Sequence, residues 1–504
     1  MSDSLLPQPG APTRPIEIAG GAPGAAGHLG TNVVPLDPAF VEALASACAD
    51  VRTAPGDRAE ASRDWWPLAM VWATEGQVGQ LAGAVVRPST VDEVSKVLAA
   101  CNGAGVPVTA AAGRSSVVGG TVPVFGGVLL DLTGLSGIAA VDETSMVVEA
   151  WAGTFGDVFE EELQGRHGLT VGHWPQSMAL STVGGWVACR GAGQFSNRYG
   201  KIEDIVVGLE VVLADGRVVR TGGQPRQATG PDLTQLFVGS EGTLGVITRV
   251  WLRAHRVPAH QRRAAYGFAA FDEALEAMRA ISQRGATPAV LRLYDVSESK
   301  GNFKIEEDLH VLLVLDEGDA CLVEAGMEVV AEECRYARRL DADLVEHWLG
   351  HRNDVSALEA LIDKGYVVDT MEVSGPWAAL PAIHEAAIAA IAAVPGTLAA
   401  SAHQSHSYHT GGCLYFTFAA KVERDERDRY YTEAWDAGTR AVLAAGGSLS
   451  HHHGVGLSRG RFVAEALGPA FDVLVAVKGA LDPNGVLNPG KLGLPSPFGE
   501  VAWP

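Results

Sequence analysis

Cysteine is scarce in this chain. The six residues in 504, Cys48, Cys101, Cys189, Cys321, Cys334 and Cys413, form no Cys-x-x-Cys pair. That scatter excludes a disulfide framework or zinc ribbon and fits a reducing, cytoplasmic compartment. Long apolar runs are missing as well. No stretch of about 18 residues escapes a charge, Gly or Pro, and the N-terminus has no basic-then-apolar leader, so neither a membrane span nor a secretion signal is expected. Positive charge is in deficit, with 38 Lys and Arg against 59 Asp and Glu and a formal net charge of −21. Such a chain repels phosphate backbones and anionic bilayers, which removes nucleic acid as a partner and leaves at most weak contact with a membrane surface. Common catalytic signatures are absent too. No Gly-x-Gly-x-x-Gly follows a strand, which disfavours a Rossmann NAD site. Gly485 to Lys491 is spaced like a phosphate-binding P-loop, but Leu492 stands where Ser or Thr would ligate Mg²⁺. His-Glu-x-x-His does not occur, which removes one class of metallohydrolase.

What is present is an apolar fraction of 47% with 19% charged residues, enough for two or three packed domains. Residues 1–30, rich in Pro, Gly and Ala, read as a disordered extension. A helix is predicted over Pro38–Cys48, and Arg63-Asp64-Trp65-Trp66-Pro67 reads as an aromatic plug or as plain core. Short strands then alternate with helices. The strand at Val85–Pro88 leads to Thr90 and Glu93, a capping box for a helix stopping near Gly103 and Gly105. Further strands are predicted at Val106–Thr109, Gly127–Leu132, Met146–Trp151 and Ile205–Leu213, the last turning at Asp215-Gly216 into a hairpin. The polar run His255–Arg263 reads as a linker, followed by strands at Ala289–Tyr294, His310–Leu315 and Cys413–Ala419 and helices at Glu317–Ala337 and Arg424–Ala445. The expectation is an α+β protein: a two-part domain over 31–254, an antiparallel sheet with helices on one face over 255–430, and a C-terminal segment over 431–504.

Chemistry concentrates in loops of small and hydroxyl residues at strand ends. Ala110-Ala-Ala-Gly-Arg-Ser-Ser116 follows a strand, and its small residues let backbone N–H groups approach a pyrophosphate while Ser115 and Ser116 donate from their hydroxyls. Similar loops lie at Gln176–Gly185 and Gly239–Thr248. Each alone is also what a surface turn looks like; three together point to one dinucleotide.

Gly239-Ser-Glu-Gly-Thr-Leu-Gly-Val-Ile-Thr248, Ser181-Thr-Val-Gly-Gly185 and Tyr199-Gly-Lys-Ile-Glu-Asp-Ile-Val206 resemble the FAD-binding (PCMH-type) domain of vanillyl-alcohol-oxidase-type flavoenzymes. Within that group the chain is most similar to alkyldihydroxyacetonephosphate synthases, through Ser181–Val187 and Gly447-Ser-Leu-Ser-His-His-His-Gly-Val-Gly456. The likeness runs from about Ser62 to Leu492. It implies that FAD is lined by Ala110, Ala112, Gly113, Arg114, Ser115 and Ser116; by Gln176, Ser181, Thr182 and Gly185; by Cys189, Arg190 and Ala192; and by Glu241, Gly242, Thr243, Gly245, Val246 and Ile247. The first loop has no His or Cys to link the flavin, so dissociable, non-covalent FAD is expected. The implied catalytic set is Arg292, Tyr415, His451, His452 and His453. In the synthases the acyl group of an acyl-dihydroxyacetone phosphate is exchanged for a long-chain alcohol through an adduct at flavin N5, a step of ether-lipid synthesis without net redox change. Arg292 suits bidentate anion binding, Tyr415 proton exchange at the substrate carbon and the imidazoles proton shuttling near neutral pH. The family also suggests a homodimer.

Bland readings stand beside these. Arg292 fits a surface salt bridge, Tyr415 fits a core strand, and the histidine run fits a solvated turn. Consecutive residues of an extended segment face opposite ways, so His452 and His453 are the expected functional pair. Ala replaces Gly in the first loop, Gln176 and Ala179 replace acidic residues, and Leu358 stands where the synthases have a second Arg, with Arg352 and Lys364 the nearest cations. An FAD-dependent oxidoreductase acting on a 2-hydroxy acid or alcohol is the alternative. Its relatives use metal-binding histidines where this chain has Tyr408 and Tyr415, and phenols replace imidazoles poorly. No metal is expected, since His403, His406 and His409 fit no standard ligand spacing.

Overall fold

The computed structural model describes residues 10, 14–20, 24, 25, 27–29 and 32–502. Much of the predicted disordered extension lies outside these residues. Its described parts are anchored: Ile16 and Leu29 are buried, and Arg63 donates to the Ile16 carbonyl.

The first part is built on two main sheets. Ala84–Val86, Val128–Asp131 and Val108–Ala111 pair in parallel, with Val51–Arg52 as an antiparallel edge. Continuous apolar runs form these short strands because both faces of a parallel sheet are covered. The crossover helix Val91–Ala104 starts and stops where its caps dictate. The Thr90 hydroxyl accepts the Glu93 N–H, the Glu93 carboxylate accepts the Thr90 N–H, and Gly105 ends the helix at φ +65°. The second sheet is antiparallel, in the order Val218–Gly222, Val206–Val212, Val246–Arg253, Val147–Trp151, Ile138–Asp142.

The second part is a seven-stranded antiparallel sheet ordered Arg338–Leu340, His260–Phe268, His310–Gly318, Val290–Tyr294, Thr397–Ser407, Gly411–Ala420, Val367–Pro376. Period-2 alternation assigns its faces. Leu312, Val314, Leu414, Phe416 and Phe418 join the core under the helices Phe271–Gln283, Ala320–Glu333, Leu380–Ala392 and Arg427–Ala444. Residues of opposite parity, among them Arg292, Glu372 and Tyr415, face the first part. The short helix Asp343–His351 also packs on that second face, through Val345 and Trp348 against Leu313 and Leu315.

The run His255–Arg263 is strand rather than linker: His255–Arg256 pairs with Leu169–Thr170, and His260–Arg263 pairs with Leu315–Gly318. Its polarity marks an exposed strand end whose charges meet Glu324 and Glu346. The chain finally returns to the first part, where Val108 N–H donates to Val486 O and Asn488 N–H to Val108 O, behind the first loop.

Candidate functional site

The three loops and the second face of the large sheet enclose one cavity of about 330 Å³, open on one side. That lies within the range of about 300–1,000 Å³ found for small-molecule and cofactor sites. Ala110, Ala112, Gly113, Arg114, Ser115 and Ser116 line it from the end of the strand Val108–Ala111. Gln176, Ser181, Thr182 and Gly185 line it from the second loop, Cys189 and Ala192 from the segment after the helix that follows, and Glu241, Gly242, Gly245, Val246 and Ile247 from the third loop. Only the absence of side chains lets these loops meet. A Cβ on Gly113 would lie 2.0 Å from the Leu180 carbonyl oxygen, and one on Gly184 2.5 Å from Ala152. Burial pushes the Cys189 thiol up to about 12, so it is a neutral thiol.

Two predicted lining residues lie elsewhere. Arg190, at φ +59°, turns outward to Glu203 with its side chain 49% exposed. Thr243 is buried behind its loop, its hydroxyl donating to Ser240 O at 2.7 Å. The sequence pattern marks the loops, but not which residue of each points in.

The cavity presents polar groups without protein partners. The Arg114 guanidinium makes no hydrogen bond or ion pair among the described residues and sits on a left-handed backbone at φ +55°. Both His173 ring nitrogens and the Trp65 indole nitrogen are buried and unpaired, and both residues line the cavity. Burying such groups unbonded is costly. A ligand with a charged diphosphate and a polar heterocycle answers that need, so the residues present fit FAD.

The opposite wall comes from the large sheet. Strand register places Tyr294, His403, Tyr415 and Glu372 side by side in one row, with Arg292 two residues from Tyr294 on the same face. Arg292 is not a surface salt-bridge partner. Its Nε donates to the Tyr294 hydroxyl at 2.7 Å and its Nη2 to His403 Nε2. Because arginine only donates, His403 Nε2 is an acceptor and its proton sits on Nδ1, 2.8 Å from a Glu298 carboxylate oxygen. Burial and then Arg292 lower the His403 pKa, consistent with a neutral ring. Tyr415 stacks on His403 at 4.8 Å and bonds Thr370 Oγ1 at 3.0 Å. Burial raises its pKa, so the phenol holds its proton.

His452 and His453 line the cavity, whereas His451 sits behind them with its Nε2 2.7 Å from the Tyr408 hydroxyl. Two carboxylates hold this loop, Glu372 buried and Glu241 half-buried. One Glu372 oxygen accepts the backbone N–H groups of His451, His452 and His453 at 3.1, 2.9 and 2.7 Å, and the other meets Arg459. Glu241, from the third loop, accepts the N–H groups of Val455 and Gly456 at 2.6 and 2.8 Å. Glu241 therefore turns its charge toward the histidine loop. Although Glu372 is buried, the Arg459 guanidinium and the backbone N–H of His453 hold its carboxyl far below the usual range. Burial holds all three imidazoles below their ordinary value, so they are neutral at pH 7.

Sequence reading missed Glu372, His173, His403 and His406 as parts of the site. The first two carry no local signature. The last two both line the cavity despite opposite parity, because a β-bulge lies between Gln404 and His406. His409 is exposed and apart from them. Arg352, one of the two cations nearest Leu358 in sequence, stacks on Trp174 and Phe195 and bonds Gln194, which lines the cavity.

A cavity between a glycine-loop domain and an antiparallel cap, lined by partnerless polar groups, is the arrangement of a flavin-dependent enzyme. Comparison with known proteins gives the family. An FAD binding domain matches residues 82–222, and the C-terminal domain of FAD linked oxidases matches residues 257–492. The uncharacterized FAD-linked oxidoreductase YgcU of Escherichia coli K12 is 34% identical over 435 residues, 82% of this chain and 89% of that protein. The alkyldihydroxyacetonephosphate synthase of Dictyostelium discoideum is 28% identical over 456 residues, covering 83% and 74% respectively. A solved alkyldihydroxyacetonephosphate synthase superposes with TM-score 0.77 at 24% identity, covering 95% of this chain and 88% of that one. The chain belongs to the FAD-linked oxidase family. No helix among the described residues is long and apolar enough to cross a membrane.

Proposed function

We propose that this FAD-linked enzyme exchanges the acyl group of an acyl-dihydroxyacetone phosphate for a long-chain alcohol. The ester C–O bond breaks, a carboxylic acid leaves, and the alcohol oxygen bonds to the same carbon, with no net redox change. FAD, held non-covalently by the three loops, would supply an electron sink at that carbon. The observation that carries this reading is the wall opposite the loops: a cation with no carboxylate partner among the described residues, Arg292, beside a neutral phenol, Tyr415, and a neutral imidazole, His453, with ring centroids 5.4 Å apart. Arg292 offers its free N–H groups to the phosphate. Tyr415 and His453 exchange protons with the substrate carbon and the leaving and entering oxygens. Trp65, Val117, Leu180 and Val355 give the same cavity an apolar lining suited to an alkyl chain.

The test is incubation of the purified holoprotein with palmitoyl-dihydroxyacetone phosphate and labelled hexadecanol. Incorporation of label with release of palmitate, and no bleaching of the visible flavin band, supports the reading. Bleaching by a 2-hydroxy acid without exchange overturns it in favour of dehydrogenation.

A further inference from the structure

We infer that His406, His451 and His452 form a site for a divalent transition-metal ion of the zinc class, at the cavity wall. One ring nitrogen from each of these three residues lies within 4.8 Å of the others. Nδ1 of His451 and Nδ1 of His452 face each other at 2.8 Å. Two N–H groups cannot point at one another at that distance, so at least one of these atoms presents a lone pair. A tetrahedral ion with bonds of about 2.0–2.1 Å spaces its ligand nitrogens by about 3.3 Å, so the pair needs to open by only about half an ångström.

The remaining ring atoms are already engaged as a ligand set requires. His406 uses Nδ1 on the Ser196 hydroxyl at 2.7 Å, which leaves Nε2 for an ion. His451 uses Nε2 on the Tyr408 hydroxyl at 2.7 Å, which leaves Nδ1. These hydroxyls can accept an N–H from the far nitrogen and so hold the ring orientation that a ligating histidine needs. His406 and His451 also stack at 5.0 Å, which limits their rotation. A nearby cation, Lys201, opposes a second positive charge, but its Nζ is spent on the His451 carbonyl at 2.6 Å and on Glu203 at 3.3 Å. Three imidazoles and no thiolate or carboxylate select zinc, copper, nickel or iron over calcium or magnesium. His406 and His452 line the cavity, so the fourth position opens toward it and an oxygen of a bound substrate can complete the coordination. His453 is outside the set and stays available beside Tyr415.

The site does not depend on the exchange reaction, and its test is separate. The holoprotein is stripped with chelator, titrated with Zn²⁺ alone and assayed by elemental analysis after dialysis, with flavin absorbance and circular dichroism verifying each variant's fold. One zinc per chain is expected. Affinity should fall by more than about 100-fold in His406→Ala and His452→Ala, and by about 10–100-fold in Ser196→Ala, which removes only the orienting hydroxyl. His453→Ala and the exposed His409→Ala should retain the ion. No zinc on the wild-type protein, or zinc retained equally by folded His406→Ala and His452→Ala, overturns the proposal.

Discussion

The carboxylate of Glu372 accepts the backbone N–H of His453 at 2.7 Å, from the strand position directly paired with Tyr415. Phenol and imidazole are thus referenced to one buried anion, which fixes both the loop and its distance from the sheet. A site built this way tolerates loss of a pocket-lining group better than loss of the group behind it.

Glu372→Gln should therefore destabilise the protein strongly. Removing one partner of a buried pair leaves Arg459 uncompensated, at a cost of about 3–5 kcal/mol. The double variant Glu372→Gln, Arg459→Met should recover much of that loss. Urea denaturation of the two variants checks it, and equal destabilisation in both would contradict the pairing.

Tyr415→Phe should retain flavin and lose turnover by about 10²–10⁴-fold, the range for loss of a general acid–base group. Its stability should change by only about 1 kcal/mol, since one hydrogen bond to Thr370 is removed. Steady-state kinetics and thermal melts on one preparation separate these effects.

Arg292→Lys keeps the charge but loses the planar fork and the donor to His403. KM for the anionic substrate should rise while flavin content stays unchanged. An unchanged KM would remove Arg292 from substrate binding.

Gly113→Ala forces a Cβ to within 2.0 Å of the Leu180 carbonyl oxygen, so the first loop must move against the second. A mismatch of only about 1.4 kcal/mol weakens FAD binding tenfold. Gel filtration should strip flavin from this variant and not from the wild type.

His173 gives a pH prediction. Burial lowers its pKa from 6.5 to about 3 in the folded protein. The unfolded chain then binds the extra proton first as pH falls. Stability from this group is fully present above pH 6.5 and declines by about 1.4 kcal/mol per pH unit between 6.5 and 3. Flavin-free His173→Phe should show a shallower acid limb than flavin-free wild type in denaturation measured from pH 7 to 4.

Much of this was legible in the sequence because the signals are local. The Thr90 and Glu93 capping box, the turn at Gly216 and the three small-residue loops each depend on neighbours a few residues away. The parity of Leu414, Phe416 and Phe418 likewise puts Tyr415 on the opposite face. The contributions of Glu372, Glu241 and His406 were not legible. Glu372 reads as one more acidic residue until pairing sets it beneath the histidine loop, about 80 residues further along the chain. Glu241 belongs to a recognised loop yet directs its carboxylate away from it, and the bulge before His406 leaves no compositional mark. The polar run at His255–Arg263 misled because an exposed strand end and a linker have the same composition.

The central claim is that the three loops grip one dissociable FAD facing Arg292, Tyr415 and the histidine loop. The most direct measurement is acid precipitation of the purified protein followed by chromatography of supernatant and pellet. One FAD per chain should be released into the supernatant, and the Gly113→Ala preparation should release almost none. A colourless protein that takes up no added FAD, or flavin that stays with the precipitate, would contradict the account.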